Sequence, residues 1–335
     1  MVKAVALISG GLDSILAAKA VKDSGIDVSG IYFRTPFCLR KKKGQGTPEE
    51  LAAALSVNAG IALHIQDLGD AFLKIVEHPA HGHGKNMNPC IDCRILMLQK
   101  AREFMEQHGA AFLITGEVIG QRAMSQHRHS MRLIDKEAGV EGINVRPLSA
   151  KLLDPTVPEQ QGLIDRNKLY DFNGRSRQPQ RELAVMLNVL DYPNAAGGCL
   201  LTDPIFAARL KDLLKSGVYD ANNIELLKLG RQYRLSPETK LIVGRDESEN
   251  SDMERLAQTG DCLLAPPDDI AGPTGLLRGA VSEAILRLSA GILCRYCDLK
   301  GRASLDIRLR TIPEAETKII SVGPLADADS LKYRL

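Results

Sequence analysis

The chain has 335 residues, 44% hydrophobic and 25% charged, the balance of a soluble globular protein long enough for two domains and a substantial core. No apolar run approaches about 18 residues, which excludes a transmembrane helix, and the opening Met1-Val2-Lys3 lacks a signal-peptide core, so a cytoplasmic protein away from membranes is expected. A net charge of +2 excludes any case for nucleic acid from overall charge and leaves only local clusters, Arg40-Lys41-Lys42-Lys43 and Arg175/Arg177/Arg181.

Apolar runs and periodicity predict strands at 4–8, 28–33, 62–66, 111–115 and 143–145, with helices near 14–23, 48–59, 69–77, 91–108 and 120–131. Such alternation implies βαβ units and a parallel sheet covered on both faces. From 147 to 204 the pattern breaks at Pro147, Pro155, Pro158, Pro179, Pro193 and Pro204, leaving one helix near 179–187 among ordered loops. Beyond it, helices are predicted at 205–215, 224–227, 253–258 and 280–293, and strands at 232–235, 240–244, 261–264 and 304–309. The expected division is an α/β domain over 1–204 and a smaller α+β domain over 205–335.

Ser9-Gly10-Gly11-Leu12-Asp13-Ser14 lies where the first strand turns into the first helix. The glycines let backbone approach a ligand closely, and the helix start directs N–H groups and hydroxyls at one point, which suits a phosphate. Asp13 would repel that phosphate unless a cation or an ammonium stood between them, so it is read as a Mg²⁺-linked or orienting residue. An ordinary glycine-rich connection is the plain alternative. The Walker spacing is missing.

Seven cysteines in such a chain point to free, catalytic or metal-bound thiols rather than disulfides. Cys90 and Cys93 open a helix after Asn88-Pro89, where the positive end of the helix dipole would lower their pKa values. Cys199 follows Gly197-Gly198. Cys38 and Cys262 are single, and Cys294/Cys297 is read as packing. His78, His81 and His83 are read as a plain loop rather than a metal site.

The stretch Ser9–Ser14 resembles the PP-loop of the N-type ATP pyrophosphatases. With Asn88-Pro89-Cys90-Ile91-Asp92-Cys93, the block Gly116-Glu117-Val118-Ile119-Gly120-Gln121-Arg122-Ala123-Met124-Ser125-Gln126, Arg146-Pro147-Leu148 and Gly198-Cys199, the first 204 residues resemble the tRNA thiouridine synthetases of that superfamily. The stretch Arg231-Gln232-Tyr233-Arg234 through Arg245 resembles an NFACT-type RNA-binding domain.

That resemblance implies a parallel-sheet ATP pyrophosphatase fold and an ATP-dependent tRNA sulfurtransferase. ATP and Mg²⁺ would be held by Ser9, Gly10, Gly11, Leu12, Asp13, Ser14, Gly116, Glu117, Gln121, Arg122 and Ser125. Cys90, Cys93 and Cys199 would ligate a [4Fe–4S] cluster, with Asp13, Cys93 and Cys199 catalytic. A persulfide on Cys199, with Cys93 as its resolving thiol, is the rival route. Arg146, Lys151, Arg175, Arg177, Arg231 and Arg234 would contact tRNA, the C-terminal domain standing in for an N-terminal RNA-binding module. The sulfur donor would be hydrosulfide or a persulfide carrier, and a homodimer is left open. Two other readings are a PP-loop enzyme adenylating a small-molecule acceptor, and a non-enzymatic RNA-binding iron–sulfur protein.

Overall fold

The computed structural model describes residues 1–38, 47–189, 192, 199–313 and 316–335, and the Arg40–Lys43 cluster and Gly197-Gly198 lie outside them. The chain divides into two compact units, Met1–Thr202 and Asp203–Leu335. Among the described residues no helix is long and apolar enough to cross a membrane.

In the first unit the strands are β1 (Lys3–Leu7), β2 (Asp27–Arg34), β3 (Ala62–Asp67), β4 (Phe112–Ile114) and β5 (Asn144–Val145). The helices are α1 (Leu12–Lys22), α2 (Pro48–Asn58), α3 (Gly69–Glu77), α4 (Cys90–Gln107), α5 (Arg128–Ala138), α6 (Val157–Gln160) and α7 (Gln178–Met186). All strand pairings are parallel, in the order β3-β2-β1-β4-β5. The central strands β1 and β4 are apolar runs because helices cover both faces, whereas β3, at an edge, is largely exposed. The strand order reverses between β1 and β4. In an open parallel sheet that reversal leaves a crevice at the carboxyl ends of the two strands, where ligands bind.

The helix expected at 120–131 begins only at Arg128. Residues 115–127 instead form an open loop that turns through Gly120 (φ 75°), whose N–H donates to the Gln126 carbonyl at 2.7 Å. Glycine tolerates that left-handed backbone, so the helical pattern is broken here in favour of a loop wall.

The second unit holds α8 (Pro204–Lys215), α9 (Ala221–Leu227), β6 (Arg231–Ser236), β7 (Thr239–Val243), α10 (Glu247–Leu256), β8 (Cys262–Ala265), β9 (Gly275–Arg278), α11 (Glu283–Cys294), β10 (Leu305–Thr311), β11 (Thr317–Val322) and α12 (Asp327–Leu331). Its six strands are antiparallel, in the order β11-β10-β8-β9-β7-β6. Tyr233, Leu264, Leu277, Ile292, Leu293 and Ile307 form its core. Strands β9 and β11 and helix α12 were not expected. The first is a short central strand whose nearby Gly272 and Pro273 read as loop, and β11 is an exposed edge with little apolar alternation.

Candidate active site

The turn after β1 closes on itself. The Ser9 backbone N–H and hydroxyl lie 3.2 and 3.3 Å from Ser14 Oγ, and that hydroxyl donates to the Gly11 carbonyl at 2.8 Å. Gly10 takes φ 75°, and Gly11 stands at the start of α1 with no side chain capping the helix. The first N–H groups of α1 therefore face a phosphate-sized anion position.

The turn after β4 packs directly against it. A Cβ on Gly116 would sit 2.4 Å from the Asp13 carbonyl oxygen and 2.5 Å from the Ser14 nitrogen. Gly116 thus serves close approach of two backbones rather than backbone mobility. Gln121 Nε2 donates to Asp13 Oδ2 at 2.7 Å, and an Arg177 guanidinium nitrogen stands 3.8 Å from the same oxygen. Asp13 Oδ1 is buried and has no hydrogen-bond partner. A carboxylate oxygen left bare beside an anion site fits a divalent cation such as Mg²⁺.

Two residues expected around the ligand are occupied elsewhere. Glu117 is buried between arginines: Arg146 Nε donates to its Oε2 at 2.9 Å, and Arg94 Nε lies 3.3 Å from its Oε1. These arginines keep its carboxyl below the ordinary range against the opposing, and largest, effect of burial. Glu117 is therefore a buried, arginine-paired anion whose Oε1, like Asp13 Oδ1, has no hydrogen-bond partner. Arg146, expected to contact RNA, is 6% exposed and forks onto Asp135 at 2.7 and 2.8 Å. Asn144 donates to Asp135 at 2.9 Å and completes the network. Ser125 is buried in the wall of the 115–127 loop.

Cys38, Cys90, Cys93 and Cys199 are free thiols. Burial pushes the Cys93 thiol up to about 12, Arg94 opposing and Cys199 and Cys90 adding. The lowering expected from the helix dipole is thus overridden by desolvation. Cys199 is exposed as a residue, yet its sulfur is crowded enough to rise to about 11, with Cys90 and Cys38 contributing. The Leu200 N–H donates to the Phe37 carbonyl at 3.2 Å, which brings the Cys38 segment beside Cys199. Among the described residues no three His, Cys, Asp or Glu side chains gather round a single-ion position.

Asn88 Nδ2 donates to the Cys90 sulfur and to the Met124 sulfur, each at 3.2 Å, and so ties the thiol segment to the 115–127 loop that carries Arg122. Crowding and Arg94 lower its pKa, Cys90 and Asp13 raise it, and Arg177 lowers it, so one guanidinium senses both a thiol and the phosphate-turn carboxylate.

The remaining expected site residues divide. Lys151 and Arg175 are exposed. Arg177 turns to Asp13 instead of facing outwards for RNA. Arg231 donates to the Gly244 carbonyl at 3.0 Å and lies over the Tyr296 ring, while Arg234 forks onto Asp212 at 2.6 and 3.0 Å, so neither extends freely towards an RNA. Lys240 is drawn down to about 7, chiefly by burial. His81 bridges Asp92 and Glu137 and His83 binds the Val76 carbonyl, as loop ties. Sequence reading missed Arg94, although it follows Cys93 directly. It also missed Asp135 and Gln180, which carry no local signal.

A glycine turn at the switch point of a parallel sheet, with an orphaned carboxylate oxygen beside it, places the first unit in the open α/β class whose ligands bind at the strand ends. Residues 1–151 match the family model described as thiamine biosynthesis protein (ThiI), and residues 230–334 match that described as NFACT protein RNA binding domain. Each match covers less than half of the chain, so the two stretches are similar to these families. The tRNA-specific 2-thiouridylase MnmA of Campylobacter curvus is 33% identical over 123 residues, 35% of this chain and 35% of that protein. The "Probable tRNA sulfurtransferase" of Caldanaerobacter subterraneus subsp. tengcongensis is 31% identical over 122 residues, 36% of this chain and 30% of that protein. The chain spans about a third of the length of these relatives. A solved 4-thiouridine synthetase–RNA complex with bound ATP aligns at 20% identity over 68% of this chain and 52% of that chain, with a TM-score of 0.37.

Proposed function

We propose that this protein is an ATP-dependent tRNA sulfurtransferase that adenylates a uridine carbonyl oxygen and exchanges it for sulfur, with a [4Fe–4S] cluster on Cys90, Cys93 and Cys199. The observation that carries this reading is the 115–127 loop: its Gln121 donates to Asp13 at 2.7 Å, while Asn88 donates both to its Met124 sulfur and to the Cys90 sulfur, each at 3.2 Å. On this reading the turn binds the triphosphate and the thiol set serves the same uridine.

The Ser9–Ser14 turn and the start of α1 hold phosphate oxygens through N–H groups and hydroxyls. Arg122 and Arg177 offset negative charge as it builds at the α-phosphate. The uridine oxygen bonds to the α-phosphorus, the α–β bridge breaks and pyrophosphate leaves. Sulfur then bonds to the activated carbon, and AMP departs with the original oxygen. When bound, the divalent ion screens phosphate charge and the cluster supplies labile sulfur. The Cys93 thiol lies near enough to Cys90 and Cys199 for their charges to act on it, and Arg94 and Arg122 would offset the charge of a group held there. A persulfide on Cys199 is the second route, favoured by the neighbouring Cys38 segment.

Nucleoside mass spectrometry of tRNA from a strain lacking the protein should show one thiolated uridine missing. Unchanged nucleosides, with pyrophosphate release indifferent to tRNA, would replace this reading by adenylation of a small molecule. Anaerobically purified protein should be brown, and colourless iron-free protein that still thiolates tRNA would move the sulfur to the persulfide route.

A further inference from the structure

We propose that Gln180 is a positioning residue of the nucleotide site: acting through Gln121, it holds Asp13 so that one carboxylate oxygen is turned to a divalent cation on the bound nucleotide. This rests on the nucleotide reading given above and names a residue outside every motif of the sequence.

A carboxylate only accepts hydrogen bonds, so the Gln121 amide must offer Asp13 its NH₂ group, which it does at 2.7 Å. Its carbonyl oxygen then faces away from Asp13 and needs a donor. Gln180 Nε2 supplies one at 3.2 Å. Gln180 is fully buried, so bulk water does not compete for that place. Turning over either amide would set two oxygens against each other, so the relay runs one way, towards Asp13. Helix α7, which carries Gln180, packs against α1, which carries Asp13. Arg177, the residue preceding α7, approaches the same Oδ2 that Gln121 binds. Oδ2 is thus held from two sides, while Oδ1 stays buried without a partner.

The Gln180 carbonyl oxygen is also buried without a partner. Leaving such an atom unpaired is costly, and a side chain wanted only for packing would avoid the cost by being apolar. The donor end of Gln180 therefore accounts for the glutamine.

The test is Mn²⁺ binding, read by water-proton relaxation, to the full chain saturated with an ATP analogue carrying a methylene between the α and β phosphates. Gln180→Met, which keeps length and removes the donor, should raise the half-saturating Mn²⁺ by about tenfold. Its affinity for the nucleotide without divalent ion should stay unchanged. Gln121→Met should raise it at least as much, and the double variant should match Gln121→Met alone, because Gln180 acts through Gln121. Gln180→Leu, which removes the donor and adds no acid group, serves if the Met variant does not fold. Wild-type Mn²⁺ binding in both Gln180 variants, or multiplicative effects in the double variant, would overturn the proposal. Wild-type protein that binds the Mn²⁺–nucleotide but leaves tRNA unthiolated would remove the sulfurtransferase reading and leave this one standing. Wild-type protein that binds no Mn²⁺–nucleotide would overturn both.

Discussion

Gly116 shows what a single missing Cβ secures. A methyl group there would meet the Asp13 carbonyl at 2.4 Å, and backbone cannot swing aside as a flexible side chain can. Gly116→Ala is expected to cost about 1–3 kcal/mol of stability and to weaken nucleotide binding at the same time. Denaturant unfolding and calorimetric titration would measure both, and unchanged nucleotide affinity would argue against the two turns acting as one site. His81 gives a prediction with a pH sign. Its hydrogen bond to Asp92, with further help from Glu137, holds its pKa above the ordinary 6.5. Stability from that charge is complete below 6.5 and is lost as pH rises through the higher folded value. His81→Gln should therefore be most destabilising in acid, with the gap to wild type narrowing as pH rises. A gap independent of pH would refute the charged bridge. The residue types of Asp13 and Ser14 announced a phosphate site, whereas Arg146 looked equally suited to RNA, because a guanidinium in a sequence does not show which carboxylates it will meet.

Among elements, the buried network ties the end of β4, α4, α5 and β5 together. Arg146 stands between Asp135 and Glu117, and Arg94 closes the far side of Glu117. Asp135→Ala strands Arg146 with one carboxylate fewer in a buried position. The expected cost is about 3–5 kcal/mol, seen as a lower denaturation midpoint. A change under about 1 kcal/mol would mean that water reaches the pair. The same region explains the helix expected from 120. Its polar residues matched an amphipathic pattern, but Gly116 and Gly120 let the chain run as a loop in which Gln121 reaches Asp13. Strands β1 and β2 were legible because apolar runs between helices have few other destinations. Strand β11 was not, because an exposed edge imposes no alternation.

Over the whole molecule, a net charge of +2 conceals local electropositive sites. On the proposed function, tRNA affinity falls as salt rises. Replacing exposed Lys151 and Arg175 by alanine should flatten the log–log salt slope by about 0.7–0.9 for each phosphate that is no longer neutralised. A filter-binding series between low and moderate salt measures it, and an unchanged slope would remove both residues from the RNA path. The buried or paired Arg146, Arg231 and Arg234 should leave that slope nearly as it is.

The sequence alone determined the strand-to-helix glycine turn, the parallel α/β character of the first unit and the α+β character of the second, because periodicity and glycine placement are local properties. Only the tertiary structure decided which charges are spent inside the protein and which face a ligand. Glu117 is paired with two arginines, whereas Asp13 is hydrogen-bonded by the Gln121 amide. Gln180 reaches the site from α7, far along the chain from Asp13, through packing that no local pattern encodes.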